Sequence, residues 1–374
     1  MMKKDNKTNL LHVLEDYSIQ SGGVARVVHD LSKNNNLKKT NINIYSSNGL
    51  LLKNSLLISK KKINSLYWNF DHKKKLESLI LKSDIVHNHG VWSSVNYYAC
   101  LMAIKNNVPL IFSAHGMLEP WLWFNQGSFK YVKKKLYWDL VIKKKLSNAK
   151  LIHGSTSLEC DNLRKLFPYN EIINVPNATN INAYNDNYFK GPKKKQIIYL
   201  GRVEPKKGTH LLIEAFSRAN LSSEWKLLIV GPFWSNSYQK KLINYVISNK
   251  LESRVKFING VYDKEKQSLL KNSWIHVLPT YSDTPGLVNL EAASEGLPSI
   301  TTYNTGLLDW NEGGGKLINP VIDELILELK KTCQWSLEER NDRGKESYLL
   351  VKKKYSYDVV LPIWNQIYKT INEK

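Results

Sequence analysis

The chain alternates short apolar runs with stretches in which apolar residues recur at helical spacing. Six apolar runs in the first half are typical of buried strands, at 10–14, 42–45, 84–88, 109–114, 150–154 and 171–175. Helical patterns, among them 24–33 and 93–106, lie between most of these runs. This alternation predicts a parallel sheet that is covered by helices on its faces.

A polar segment at 176–195, "PNATNINAYNDNYFKGPKKK", separates two regions of this kind. It has several turn-forming residues and few large aliphatic ones, so it predicts a linker. Beyond it the alternation restarts, with strand patterns at 196–201, 225–231, 255–260, 275–280 and 298–302, and helical patterns from 208, near 237–249, near 264–272, after Pro285 and from about 321 onward. We therefore expect two doubly wound, Rossmann-like α/β domains, 1–185 and 186–355, with a terminal helix at about 356–374.

The composition agrees with two packed domains, because 374 residues are too many for one ordinary core and 42% of them are hydrophobic. Lysine carries most of the net charge of +21, since only seven of the 54 basic residues are arginines: 26, 164, 202, 218, 254, 340 and 343. Recognition of nucleic-acid bases relies on arginine, so we expect no nucleic-acid partner. The three cysteines are widely spaced and odd in number, which favours a reducing cytosol.

The sequence predicts no membrane-spanning helix, because no apolar run reaches about 18 residues, and the N-terminal apolar stretch is too short for a signal peptide. Basic charge is concentrated in residues 1–190, where 27 basic and 13 acidic side chains give 27 − 13 = +14. The stretch "KYVKKKLYWDLVIKKKLSNAK" at 130–150 fits either a helix on an anionic membrane surface or an amphipathic helix with its lysines in water. We expect a cytoplasmic protein, free or peripheral on the inner face of the membrane.

Loops that follow predicted strands hold the candidate chemistry. Gly22 and Gly23 open a helix after the first strand, and paired glycines let backbone N–H groups approach an anion closely. Arg202 and Lys207 flank a turn between a strand and a helix, where a guanidinium and an ammonium group suit a diphosphate. His115 ends an apolar strand, and an imidazole there can bond to a substrate hydroxyl.

The stretch "YSDTPGLVNLEAASEG" at 281–296 places a carboxylate on each side of a predicted helix start. The amides of 286–288 (Gly286, Leu287 and Val288) would be free to bind an anion there. Asp283 and Glu291 would repel a diphosphate directly beside them, but they can accept hydrogen bonds from hydroxyl groups on its two sides. A hydroxylated hexose, a diphosphate and a hydroxylated ribose together make a nucleotide sugar.

The motifs "GRVEPKKG", "SDTPGLVNLEAASEGLPSITT", "GGVARVV" and "SAHGMLEPW" resemble glycosyltransferase family 4 over nearly the whole chain. This family implies the GT-B fold, with two Rossmann-like domains facing a central cleft and a terminal helix that crosses back to the first domain. It also implies retaining, metal-independent chemistry, with no cofactor beyond the nucleotide-sugar substrate. The implied acceptor is a glycan or lipid-linked glycan of cell-surface polysaccharide biosynthesis, as in bacterial relatives.

The resemblance also implies a role for each matching residue. Arg202 and Lys207 would hold the donor diphosphate, with Gly22 and Gly23 near the phosphates. The transferred sugar would be held by Asp283, the 286–288 backbone and His115. Glu291 would bind the ribose hydroxyls. The chain departs from the family pattern where Asp283 replaces the usual Glu, which shortens its reach by one methylene, and where Gly116 and Ala178 replace common family residues.

Three other functions remain open from the residues alone. A nucleotide-sugar epimerase on the same scaffold would act without an acceptor. A metal-dependent hydrolase could use His87 and His89, which lie on one face of a predicted strand, together with His115. A nucleic-acid binder would need salt-dependent binding to generic DNA.

Overall fold

The computed structural model describes residues 7–18, 22–34, 40–48, 70–124, 128–181, 193–261 and 263–373. The chain divides into two compact units, Met1–Asn177 together with Tyr357–Lys374, and Ala178–Ser356. The predicted boundary at residue 185 lies outside the described residues. The terminal segment belongs to the first unit, as the resemblance implied.

Each unit is built on a six-stranded parallel sheet. The first sheet has the order β2-β1-β3-β4-β5-β6, with β1 Thr8–Asp16, β2 Thr40–Asn48, β3 Ile85–His89, β4 Leu110–Ser113, β5 Leu151–Gly154 and β6 Ile172–Asn174. The second has the order β12-β11-β10-β7-β8-β9, with β7 Gln196–Leu200, β8 Lys226–Val230, β9 Val255–Ile258, β10 Ile275–Leu278, β11 Ser299–Thr302 and β12 Lys316–Ile318. The prediction of two doubly wound α/β domains is therefore confirmed.

Helices connect the strands. Those of the first half are α1 Gly23–Asn34, α2 Phe70–Leu81, α3 Ser94–Lys105, α4 Trp121–Phe124, α5 Ser128–Tyr137, α6 Lys143–Leu146 and α7 Ser157–Leu166. Those that follow are α8 Thr209–Arg218, α9 Asn236–Ser248, α10 Asp263–Asn272, α11 Leu287–Ser294, α12 Ile322–Cys333, α13 Leu337–Lys354 and α14 Tyr357–Asn372. The helix expected over 130–150 is present from Ser128 to Leu146. It contains a π-helical turn, Trp138–Ile142, between α5 and α6, which the sequence pattern did not indicate.

The central strands of the second unit are buried on both faces. Ile197, Ile198 and Tyr199 follow one another along β7 and are all fully buried. Successive side chains of a strand point to opposite faces, so helices must cover both sides of this sheet. Uninterrupted runs of buried residues such as "IIYL" are the consequence, and they made these strands predictable.

The order of the second sheet fixes where a ligand can bind. Strands β7 and β10 are neighbours, but the chain continues from β7 to one side of the sheet and from β10 to the other. This is a topological switch point, and doubly wound folds bind ligands beyond the carboxyl ends of the strands there. The segments that follow these two strands contain Arg202, Lys207 and Asp283.

A buried arginine joins the ends of two helices in the second unit. Arg340 is fully buried and donates to the carbonyls of Trp274 (3.0 Å), Gly296 (3.1 Å) and Ser273 (3.2 Å). These carbonyls lie just beyond the C-terminal ends of α10 and α11, where a helix leaves carbonyls unpaired and favours positive charge. Burial lowers the pKa of Arg340 to about 9.

Candidate functional site

The two loops at the switch point are joined to each other. A single 3-10 turn, Pro205–Lys207, follows β7. The carbonyl of Lys206 accepts hydrogen bonds from the Tyr281 amide (2.8 Å) and the Thr280 hydroxyl (3.1 Å), which follow β10. Gly208 has a φ of 69°, and a Cβ on it would lie 2.0 Å from the carbonyl oxygen of Pro279. Only glycine fits this conformation and approach, so the motif "PKKG" positions its lysines against the second loop.

Lys207 and Asp283 form an ion pair across these loops. The Lys207 ammonium donates to Asp283 Oδ2, while Asp283 Oδ1 accepts from the Thr284 amide at 3.1 Å. Burial on its own raises the pKa of the Asp283 carboxyl, but Lys207 and Lys206 outweigh it and hold the pKa below its usual range. Asp283 is therefore ionised at neutral pH and accepts hydrogen bonds rather than donating them.

The start of α11 lies beside this pair. Gly286 has a φ of 71°, and a Cβ on it would lie 3.1 Å from Asp283 Oδ2. The Asn289 amide donates to the Gly286 carbonyl (2.8 Å) and is the first to bond within this turn. The preceding amides, at 286–288, are those that a helix start leaves without an intrahelical partner. They provide backbone donors at a helix start that lies against the Asp283 carboxylate.

Arg202 lies exposed in the loop after β7, and its carbonyl accepts from the Tyr199 hydroxyl at 2.7 Å. Among the described residues, the Arg202 guanidinium has no hydrogen-bond or ion-pair partner. Burial lowers the pKa of Lys206, and the charges of Lys207 and Arg202 lower it further. Arg202 therefore lies within electrostatic reach of the lysine pair, and the loop gathers three cations near Asp283.

Glu291 bonds to a residue that the sequence did not indicate. Its Oε1 accepts from the Lys266 ammonium at 2.7 Å, and both side chains are about four-fifths buried. Lys266 lies on α10 and Glu291 on α11, so only the packing of these helices brings the two side chains together. The structure thus brings Lys207, Asp283 and Gly286 into contact and pairs Glu291 with a cation of its own.

His115 belongs to the first unit, in the turn after β4. It adopts a left-handed backbone with φ of 51°, which is uncommon for a residue other than glycine. The buried Glu159 holds this turn, because its carboxylate accepts from the Gly116 amide (2.6 Å) and from the amide and hydroxyl of Ser155. His115 is half-buried, and its Nε2 bonds to His89 Nδ1 at 2.9 Å. Its contact with a substrate hydroxyl stays a prediction.

His115 is the outer member of a cluster of five histidines. His12 on β1 is opposite His87 on β3, and His89 on β3 is opposite Ser113 on β4, which in turn is opposite His153 on β5. These positions share one face of the sheet because strand side chains alternate. Sequence reasoning found His87 and His89 but missed His12 and His153, whose membership depends on strand register.

Nitrogen atoms of His12, His87 and His89 lie within 4.8 Å of one another, close enough for a metal site. However, both His87 nitrogens are engaged, Nδ1 with the Tyr368 hydroxyl (2.9 Å) and Nε2 with the Ser113 hydroxyl (2.7 Å). A metal would have to break one of these bonds. The arrangement suits neutral imidazoles bonded to one another and to hydroxyl groups, and metal independence stays a prediction.

Gly22 and Gly23 are exposed at the start of α1. Gly22 has a φ of 99°, a conformation that favours glycine, and its carbonyl accepts from the Arg26 amide at 3.4 Å. The predicted strand-to-helix position of this pair is therefore present. Residues 19–21, which precede it, lie outside the described residues.

The lysine-rich stretch has an exposed apolar side. Val132, Leu136 and Leu140 recur every four residues and are exposed by 53%, 55% and 76%. Lys134 is half-buried: its ammonium lies 4.5 Å from the Trp92 ring centroid and donates to the Leu122 carbonyl (3.1 Å). Burial lowers the pKa of this lysine.

The fold and the switch-point site define a class of protein. The structure resembles that of Anabaena HepE, solved in complex with UDP and glucose, with a TM-score of 0.75 and 15% identity over 98% of this chain and 100% of that one. It also resembles WaaG, a glycosyltransferase involved in lipopolysaccharide biosynthesis, with a TM-score of 0.71 and 16% identity over 96% of this chain and 99% of that one. At such low identity these similarities establish the fold alone. The chain has the GT-B fold.

Family models narrow this class. The model "Glycosyl transferases group 1" matches residues 180–346, which include the switch-point site, and "Glycosyltransferase Family 4" matches residues 21–182. The chain is thus a family 4-like glycosyltransferase, as its motifs indicated. A glycogen synthase of Mycobacterium tuberculosis is 30% identical over 112 residues, 30% of this chain. The chain spans 27% of the length of that curated relative.

Proposed function

We propose that the chain is a retaining glycosyltransferase that moves a hexosyl-type sugar from a nucleoside-diphosphate sugar to a glycan or lipid-linked glycan acceptor. The observation that carries this proposal is the Lys207–Asp283 pair beside the start of α11, at the switch point of the second sheet. HepE has been solved with UDP and glucose, which supports a donor of this class. WaaG acts in lipopolysaccharide biosynthesis, which supports cell-surface polysaccharide as the product.

The donor diphosphate would lie between Arg202, Lys207 and the 286–288 amides. Negative charge grows on the leaving phosphate as its bond to the anomeric carbon breaks. Cations and amides that are already oriented stabilise this charge, and the loss of one such contact costs about 2–4 kcal/mol of transition-state stabilisation. The lysine can serve both groups, because an ammonium has three protons and Asp283 takes one of them.

The carboxylates would recognise the hydroxyl groups on each side of the diphosphate. Asp283 is ionised, so it would accept from the hydroxyls of the transferred sugar. Glu291 would accept from the ribose hydroxyls with the oxygen that Lys266 leaves free. Neither is assigned as nucleophile or general acid. Retention would follow from attack on the same face, with the leaving phosphate taking the acceptor proton.

The first unit would bind the acceptor. His115 would contact the transferred sugar, and Gly22 and Gly23 would lie near the phosphates. These roles rest on the family resemblance.

A lipid-linked acceptor agrees with the exposed side of the lysine-rich stretch. No helix among the described residues is long and apolar enough to cross a bilayer. Phe124 and Leu140 are exposed by 71% and 76%, and Lys133 and Lys144 are exposed nearby in sequence. Apolar side chains flanked by lysines suit a peripheral contact with anionic lipid. We propose that the protein binds the inner face of the cytoplasmic membrane through this stretch.

Vesicle flotation tests the membrane contact. Leu140→Ser and Lys144→Glu should each reduce binding to vesicles that contain phosphatidylglycerol, relative to wild type. Tyr169→Ser is the matched control, because Tyr169 is 99% exposed in the same unit but lies outside this stretch. Equal binding by all four proteins would refute the contact.

A screen of UDP-, GDP- and ADP-sugars for thermal stabilisation tests the donor class. A ligand present at 100 times its Kd stabilises the folded protein by about 2.7 kcal/mol, which raises the melting temperature measurably. The donor found in this way is then incubated with and without acceptor glycans. Conversion of its sugar without any acceptor would favour the epimerase, and the absence of stabilisation by all three classes would contradict the proposal.

A further inference from the structure

The five histidines form two separate hydrogen-bonded chains. One runs from the Tyr368 hydroxyl to His87, to Ser113, to His153 and on to the Val175 carbonyl, with steps of 2.9, 2.7, 2.8 and 2.8 Å. The other joins His12 Nδ1 to His89 Nε2 (2.8 Å) and His89 Nδ1 to His115 Nε2 (2.9 Å). We call the second chain the imidazole column.

The proton positions in the first chain follow from its end. The Val175 carbonyl can only accept, so His153 Nε2 carries the proton and its Nδ1 accepts from the Ser113 hydroxyl. The same oxygen then accepts from His87 Nε2–H, and His87 Nδ1 accepts from the Tyr368 hydroxyl. His87 and His153 are thus both held as Nε2–H tautomers. Burial lowers the pKa of His153 to about 4, and that of His87 well below its usual range, so both are neutral.

The column allows two directions of donation, and its two ends differ. His12 is 1% exposed, and its Nε2 has no hydrogen-bond partner among the described residues. His115 is half-buried, and its Nδ1 also has no hydrogen-bond partner within the described part of the chain. Donation from His115 inward would place the unpaired N–H on His12, the more deeply buried end of the column. Buried N–H groups without a partner are rarer in proteins than unpaired carbonyl groups. An unpaired N–H also costs more free energy when it is buried than when it is exposed.

Donation outward avoids this cost. His12 Nδ1–H then donates to His89, His89 Nδ1–H donates to His115 Nε2, and the proton of His115 lies on its outward Nδ1. Both bonds in this direction use Nδ1–H, the opposite tautomer from the one in the first chain. Burial lowers the pKa of His12 and of His115 to about 3, so the column is neutral near neutral pH.

We propose that His12 and His89 are positioning residues that hold His115 as the Nδ1–H tautomer, so that its outward nitrogen is a hydrogen-bond donor to an oxygen atom of the ligand. The ligand is a sugar hydroxyl or a phosphate oxygen, an assignment that rests on the proposed function. The tautomer itself follows from the column and does not depend on that function.

Nitrogen NMR of the ligand-free protein labelled with 15N-histidine tests the column. We expect His12, His89 and His115 as Nδ1–H tautomers and His87 and His153 as Nε2–H tautomers. Couplings across the two N–H···N bonds would identify the column directly. His115 found mainly as the Nε2–H tautomer in the wild type would overturn the proposal without reference to any activity.

Two variants of His12 test its action at a distance. His12→Leu should convert His115 to a mixture of tautomers and lower kcat/KM for the donor about tenfold, the effect of one hydrogen bond. His12→Asn keeps an N–H near the position of Nδ1, so it should restore the Nδ1–H tautomer and most of the activity. A His115 tautomer that does not respond to His12→Leu would refute the positioning role. The expected tautomers in a protein that transfers no sugar would leave the column correct and refute the proposed function instead.

Discussion

Mild acid should destabilise the first unit, because its histidine cluster is held neutral. In the unfolded chain a histidine has a pKa of about 6.5. Burial lowers this pKa to about 3 for His12 and His115 and to about 4 for His153 in the folded unit. The unfolded chain therefore binds more protons. The stabilisation is complete above pH 6.5 and is lost as the pH falls from 6.5 towards the folded pKa values.

The size of the effect follows from these shifts. At pH 5.5 each of these three histidines lowers the free energy of unfolding by about 1.4 kcal/mol, so together they lower it by about 4 kcal/mol. The pKa values of His87 and His89 are also lowered by burial, so both add to the loss. Domains are stable by about 5–15 kcal/mol in total, so the loss is a large part of it.

Urea unfolding between pH 7.5 and 5 measures this loss, with pulse proteolysis and mass analysis to assign fragments to each unit. The slope of unfolding free energy against pH gives the number of protons taken up. We expect at least three in the first unit between pH 6 and 5. His12→Leu should remove about one of these protons. His210→Gln, a change in the second unit, should leave the slope of the first unit unchanged. A slope below one proton in the wild type would refute the reasoning.

Three further changes probe the second unit and the chemistry. Arg340→Met leaves three buried carbonyls unpaired and should lower the stability of the second unit by about 2–4 kcal/mol in urea, with the transition of the first unit unchanged. Glu291→Gln should raise the KM for the donor about 10–100-fold, because it weakens a hydrogen bond to a charged group. Lys266→Met should change this KM less, and equal effects of the two changes would mean that the Lys266–Glu291 pair is only structural. Transfer should persist after dialysis against EDTA, and loss of activity that zinc restores would favour a metal site at His87.

The sequence predicted the strands well because parallel strands are buried on both faces. The runs "IIYL" and "LLIV" have no charged or amide side chain to interrupt them, and they became the buried parts of β7 and β8. The helix α2, Phe70–Leu81, was missed, since "HKKKLESLIL" groups its lysines at one end of the run. The short edge strand β12 has only three residues and no pattern of its own.

The site was predictable where its residues directly follow predicted strands. Lys207 and Asp283 follow strands that are neighbours in the sheet, so the motifs placed them at one edge. Lys266 could not be found, because its contact with Glu291 depends on how two helices pack. The π-helical turn was also hidden, and with it the position of Lys134 over Trp92.

Histidine pairing shows the same limit. The run "VHNHG" revealed two imidazoles on one strand face, but the addition of His12 and His153 required the register of three strand pairs. Arg340 was visible only as one of seven arginines. Its function at two helix ends depends on carbonyls that are 44 and more residues away.

The central claim is that Lys207 and the helix start at 286–288 hold the diphosphate of a nucleotide sugar. Titration calorimetry can compare the Kd of a nucleoside diphosphate with that of the same nucleoside, for wild type, Lys207→Met and the surface control Lys195→Met. We expect Lys207→Met to weaken the diphosphate about 10–100-fold and to leave the nucleoside within about twofold, with Lys195→Met unchanged for both. Equal losses for the two ligands in Lys207→Met, or no loss for the diphosphate, would contradict the claim.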